Sequence, residues 1–245
     1  MTDPNDAPFD AGGPTVQETV PEPLPEPQRR GTLDRDIRMI QDAALRMGTL
    51  VEDAIRQAAE ALVKHDAKLA MEVIKGDAVI NEVQRSLTRL IAVTIATQQP
   101  VARDLRLLLT MDHVGYELER MGDHASTVAK HVLTLAGEPP LEGYVHLPEM
   151  AARDADLVHG VLRALVDMDA ERAREVAAED DDVDRLYHAT FDRAVELMQR
   201  DPANVEQGAR IILASHYLER IGDRTTNIAE DIVFLDSGEV EDLNP

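Results

Sequence analysis

The chain has no cysteine and no tryptophan. Without thiols it forms no disulfides, no thiolate metal sites and no cysteine nucleophile. Aromatic residues are 3% of it, too few for a platform on which single-stranded nucleobases stack. Basic residues are the minority, 25 Lys and Arg against 47 Asp and Glu, for a net charge of −22. A surface of that sign argues against nucleic acid and against the anionic face of a membrane as partners. No apolar run approaches the roughly 18 residues that a membrane span needs. The acidic start lacks the apolar core of a secretory signal. With the missing cysteines, this makes the cytoplasm the expected location.

What is present is alanine, leucine, glutamate and arginine, with short β-branched runs, which points to an all-α fold. Seven of the thirteen prolines fall before Gln28, several of them alternating with glutamate from Pro21 to Pro27. Residues 1–31 therefore read as a disordered tail. A first helix is expected from Thr32, a plausible N-cap, to His65-Asp66, with small and apolar residues spaced three and four apart from Ile37 to Ala61. A second runs from Asp66 to about Thr97, ended by Gln98-Gln99-Pro100. A third covers Ala102 to Ala136, stopped by Gly137-Glu138-Pro139-Pro140. After a linker the plan repeats. Helix four starts near Pro148, helix five spans Asp169 to Arg200, and helix six spans Ala203 to about Leu235. Short connections make neighbours antiparallel. The expected architecture is two tandem three-helix bundles, residues 32–137 and 147–236, six long helices in all, followed by an acidic tail at 237–245.

The duplication is visible in one motif. Leu118-Glu119-Arg120-Met121-Gly122-Asp123 returns one hundred residues later as Leu218-Glu219-Arg220-Ile221-Gly222-Asp223. On a helix Glu119 and Asp123 share a face, as do Glu219 and Asp223. Like charges so placed repel by roughly 0.2–0.5 kcal/mol. A costly pair built twice points to a cation. Upstream, Asp77 and Asn81 have the same spacing in the first half, and Asp180 and Asp184 in the second. Consecutive antiparallel helices can bring each set of four together. Converging carboxylates need a counter-cation, and oxygen-only donors suit Mg, Mn, Ca or Fe, with Zn less natural. The first set holds Asp77, Asn81, Glu119 and Asp123; the neutral Asn81 makes it the weaker. Gly122 and Gly222, each costing roughly 1 kcal/mol inside a helix, mark a close approach by a ligand or another helix. Arg120 and Arg220 read best as salt-bridge partners of these acids. His216, three residues before Glu219, could add a nitrogen donor.

Catalytic signatures are missing. The sequence has no phosphate-cradling glycine loop, no nucleophile elbow and no zinc-binding His-Glu-x-x-His. It also lacks the Glu-x-x-His pairs of di-iron bundles.

The whole pattern resembles the PhoU family of bacterial phosphate-transport accessory proteins. The residues that carry it are Val73-Ile74-Lys75-Gly76-Asp77 with Ile80-Asn81, Gln99-Pro100-Val101-Ala102-Arg103-Asp104-Leu105-Arg106, Glu179-Asp180-Asp181-Asp182-Val183-Asp184, and the two copies of the Leu-Glu-Arg motif. The resemblance spans about residues 32–236. It implies two similar three-helix bundles and no enzymatic activity. It implies metal, as iron or other ions such as Mn, Mg or Zn, on Asp77, Glu119 and Asp123 and on Asp180, Asp184, Glu219 and Asp223. It also implies a cytoplasmic negative regulator of the phosphate-starvation response and of phosphate uptake. Such a protein links the ATPase subunit PstB of the phosphate ABC transporter to the sensor kinase PhoR, and is often a homodimer. The competing readings are a bundle-type metallo-hydrolase or oxidase, and an accessory subunit of a different phosphate transporter.

Overall fold

Two aspartates set the plan of both halves. Asp66 accepts from the backbone N–H groups of Lys68 and Leu69, and Asp169 accepts from that of Arg172, so each caps the start of a helix. The residue before each, His65 and Met168, has φ near 50°, the left-handed turn that ends the preceding helix. A side chain there is strained. At His65 the ring offsets the strain: Nδ1 donates to the Glu138 carbonyl at 2.6 Å and Nε2 accepts from the Tyr144 hydroxyl at 2.9 Å.

The computed structural model describes residues 26–135, 137–139, 141, 144 and 146–243, with side chains from residue 30. Within them the helices are α1 (Glu26–Lys64), α2 (Ala67–Gln98), α3 (Ala102–Leu135), α4 (Leu147–Asp167), α5 (Ala170–Ala178), α6 (Asp181–Arg200) and α7 (Val205–Ser237), with a 3₁₀ turn at Pro202–Asn204 before α7. No strand occurs among the described residues, and no helix there is long and apolar enough to cross a membrane. The fold is the expected pair of similar three-helix units.

Three boundaries differ from expectation. The first helix begins at Glu26 rather than Thr32, and Arg30, in its second turn, is held by Asp34 at 2.9 Å and by Asp104 of α3 at 2.5 Å. The rest of the expected tail, residues 1–25, lies outside the described residues. The fifth helix is broken at Glu179-Asp180 into α5 and α6. Aspartate is a poor helix-interior residue but a good first-turn one. The acidic run therefore restarts the helix, with Asp181, Asp182 and Asp184 in the first turn of α6. The acidic C-terminal segment folds back, where Glu241 takes the Arg174 guanidinium at 2.8 Å and the Leu243 N–H donates to Glu230 at 3.0 Å.

The helices pack α1 against α2 and α3, and α4 against α5, α6 and α7; α3 lies on α7, and α1 on α4. The two units are not separate domains. Ile40, Met47, Val51 and Ile55 of α1, Leu118 and Met121 of α3, Val158 and Val161 of α4, and Leu218 and Ile221 of α7 belong to one buried cluster. The central helices α3 and α7 are apolar on more than one face, so they bury toward their own half and toward the other.

Candidate metal centre

The carboxylates of each half come from two neighbouring rods. In the first half Asp77 and Asn81 project from α2 and Glu119 and Asp123 from α3. In the second, Asp180 lies in the turn between α5 and α6, Asp184 opens α6, and Glu219 and Asp223 are on α7.

The motif glycines are where the facing rods meet. A Cβ at Gly222 would overlap the Asp180 carboxylate. A Cβ at Gly122 would lie 2.9 Å from Ile80 Cδ1, with Asp77 Oδ1 also close at 3.8 Å. A side chain at either position would push the facing Ile80 or Asp180 side chain aside. What packs close is α2, which carries Asp77, in the first half and the Asp180 carboxylate itself in the second.

The second centre is the more strained. Asp180 is buried, with Oδ1 lacking any hydrogen-bond partner. Burial, then the charges of Asp184, Asp223 and Glu219, push its carboxyl up to about 7. Burial, then Asp223 and Asp184, push Glu219 up to about 7 as well, and its Oε2 is buried without a hydrogen bond. Asp184 is raised by burial and by Asp223. Arg220 pairs with Asp223 at 3.5 Å, and the His216 ring stands 3.4 Å from Glu219.

The first centre is milder. Asn81 Nδ2 donates to Asp77 Oδ2 at 3.2 Å, which leaves Asp77 Oδ1 and Asn81 Oδ1 buried and unpartnered. Burial, then the charge of Asp123, raises Asp77; burial, then Asp123 and Asp77, raises Glu119. Arg120 stands 3.9 Å from Asp123.

All eight residues named from the sequence thus fall into two clusters whose members act on one another electrostatically or by hydrogen bond. They do not close on a point: among the described residues no three His, Asp or Glu side chains converge at metal-ligand range. The donor chemistry nevertheless fits a hard cation. Unsatisfied buried oxygens face like-charged neighbours, and cations relieve both faults. Holding an ion would require the side chains to rotate inward.

Sequence reasoning missed two features. Asp154 of α4 is fully buried, both oxygens lack partners, and Asp180 and Glu219 face it. Its signal was a lone acid four residues from Met150 and from Val158 on an apolar stripe. The second feature is a charged clasp between α3 and α7. Buried Glu117 takes Arg224 Nη1 at 3.3 Å and the His113 ring at 3.3 Å, and His113 Nδ1 donates to Asp231 at 2.5 Å. Hydrogen bonds to Asp231 and Glu117 hold His113 up near 10, so it is charged at neutral pH.

Comparison with known proteins agrees with the duplicated architecture. The PhoU domain model matches residues 44–132 and again 147–232. The phosphate-specific transport system accessory protein PhoU homolog of Clostridium acetobutylicum is 36% identical over 216 residues, covering 88% of this chain and 99% of that protein. The homolog from Pseudomonas aeruginosa is 36% identical over 205 residues, covering 83% and 84%. The crystal structure of PhoU from Pseudomonas aeruginosa superposes with a TM-score of 0.78 at 35% identity, over 84% of this chain and 99% of that one. The phosphate transport system regulatory protein PhoU from Streptococcus pneumoniae gives 0.79 at 28% identity, over 86% and 99%. With its family domain matched twice, once on each bundle, this chain belongs to the PhoU family.

Proposed function

We propose that the chain is a regulatory accessory of a phosphate transport system, a cytoplasmic metal-binding adaptor and not a catalyst. The observation that carries the reading is the duplicated carboxylate cluster, set on two rods in each half of a PhoU fold. Supporting the metal are the unpartnered buried oxygens of Asp77, Asn81, Asp180 and Glu219. Asp180, Asp184, Glu219 and Asp223 would hold one ion or group of ions; Asp77, Glu119 and Asp123, with the Asn81 amide, would hold the other. Such ions supply positive charge that organises an acidic face and can bridge it to a partner. Mn, Mg, Fe or Zn are the candidates, oxygen donors favouring the harder ones.

Supporting the regulatory role are relatives named as phosphate transport accessory and regulatory proteins. In this reading the partners are the transporter ATPase PstB and the sensor kinase PhoR. The protein holds the kinase silent and restrains uptake when phosphate is plentiful. The test is alkaline phosphatase activity of the host in phosphate-rich medium. Deleting the gene should raise it and restoring the gene should lower it again. Equal, low activity in both strains overturns the kinase adaptor and points to a different phosphate transporter. Turnover of a phosphomonoester by the purified protein, abolished by E219A, would favour the hydrolase instead.

A further inference from the structure

Asp154 belongs to α4, the first helix of the second unit, and to neither motif. It lies on the buried face of α4 with Met150, Ala151 and Val158, and has no exposed surface. Neither of its oxygens meets a hydrogen-bond donor. The charges that face it are Asp180, from the turn between α5 and α6, and Glu219, from α7. Asp180 Oδ1 and Glu219 Oε2 are themselves buried without a hydrogen bond, the His216 ring standing 3.4 Å from the latter. Three elements thus set unsatisfied acid oxygens near enough to act on one another's charge behind the second centre, without converging at metal-ligand range. A buried carboxyl group without a donor, an acceptor or a counter-charge is among the most unfavourable things a core can hold. A neutral acid there would still leave its hydroxyl unpaired. A cation drawn in among them, with the side chains turned toward it, would offset the charge of all three.

The first unit has no equivalent. The offset of 103 residues that relates Asp77 to Asp180 and Asn81 to Asp184 also relates the caps Asp66 and Asp169, and it relates Val51 to Asp154. Val51 is fully buried on α1. Where the second centre has an acid behind it, the first has a hydrocarbon.

We propose that Asp154 is a buried ligand of the second centre, supplying from α4 an oxygen donor for a hard divalent cation, and that Val51 in the matching place leaves the first centre the weaker binder. The proposal rests on the reading that the second-half carboxylates hold metal. It adds a third helix to a centre that the motifs build from two rods, and it makes the two centres unequal for a reason beyond Asn81.

The test is titration of the metal-stripped full chain with Mn²⁺, following free Mn²⁺ by its paramagnetic resonance signal, with circular dichroism to confirm folding. The variants are D154N, which keeps the shape, and D154V, which copies the first unit. Wild type should show a tight and a weak class of sites, and E219A/D223A should lose the tight class. D154N and D154V should each weaken the tight class by at least about tenfold and leave the weak class unchanged. A residue that merely fills space would leave Mn²⁺ affinity unmoved in D154N. Wild-type affinity in both Asp154 variants, with the tight class lost in E219A/D223A, overturns the role of Asp154 and leaves the metal reading standing. A tight class that survives in E219A/D223A, or no Mn²⁺ binding by wild type, overturns both.

Discussion

At the scale of single residues, the second centre is governed by crowding. Asp180 and Glu219 are pushed up to about 7 by burial and by neighbouring carboxylates, from ordinary values of 3.8 and 4.5. Without a cation the folded chain holds protons there that the unfolded chain has released. Groups raised in the folded state stabilise below their unfolded pKa, and that contribution is lost as pH rises through the folded one. In E219Q one such group is gone. Between pH 4.5 and 7 the urea midpoint of metal-free wild type should therefore fall relative to that of E219Q; a constant gap would mean that Glu219 is not raised. Gly222 gives a second prediction. Alanine there overlaps the Asp180 carboxylate, so G222A should weaken Mn²⁺ binding while G76A, where a Cβ meets nothing, should not. Equal affinities in the two variants would separate the glycine from the site.

At the scale of elements, α3 and α7 matter most, because they carry both motifs and the contact between the halves. Glu117, 2% exposed, sits between Arg224 and His113. Burial alone would raise its pKa, but the His113 bond and the Arg224 charge outweigh burial and lower it. Removing its charge leaves Arg224 and His113 without their shared acid. E117Q should cost about 2–3 kcal/mol of stability by urea unfolding, and an unchanged midpoint would show that the clasp contributes nothing. The helices themselves were legible in the sequence. The three- and four-residue spacing of Ile40, Ala44, Met47 and Val51 needs no tertiary information, nor do the caps Asp66 and Asp169. The two motif pairs were legible because i, i+4 carboxylates on a known helix share a face. Asp154 and Glu117 were not read from the sequence, since an acid on an apolar stripe is ambiguous until its surroundings are known. The break at Glu179-Asp180 was missed because apolar spacing continues across it, from Val176 to Val183. The start of α1 at Glu26 was missed because Thr32 is a good cap residue, and the tie from Arg30 to Asp104 spans distant parts of the chain.

At the scale of the molecule, the two units share one core, and α1 packs on α4 nearly as extensively as on its own partners. Separating them would expose the buried faces of α3 and α7. The metal-free chain should accordingly unfold in a single calorimetric transition, with matching calorimetric and van't Hoff enthalpies. Two resolved transitions would mean that the duplicated units are independent domains. A shared core also gives a physical route between the centres. The two carboxylate clusters lie on opposite partners of the α3–α7 contact, joined by the Glu117 clasp.

The central claim is that the duplicated carboxylates hold metal, and elemental analysis tests it most directly. The full chain is purified, equilibrated with a mixture of divalent ions, freed of unbound ions and measured beside E219A/D223A and E119A/D123A. Wild type should retain metal, each double variant should retain less, and all three should keep the same helical circular dichroism. Equal metal content in the three proteins, or none in wild type, would contradict the assignment of both centres.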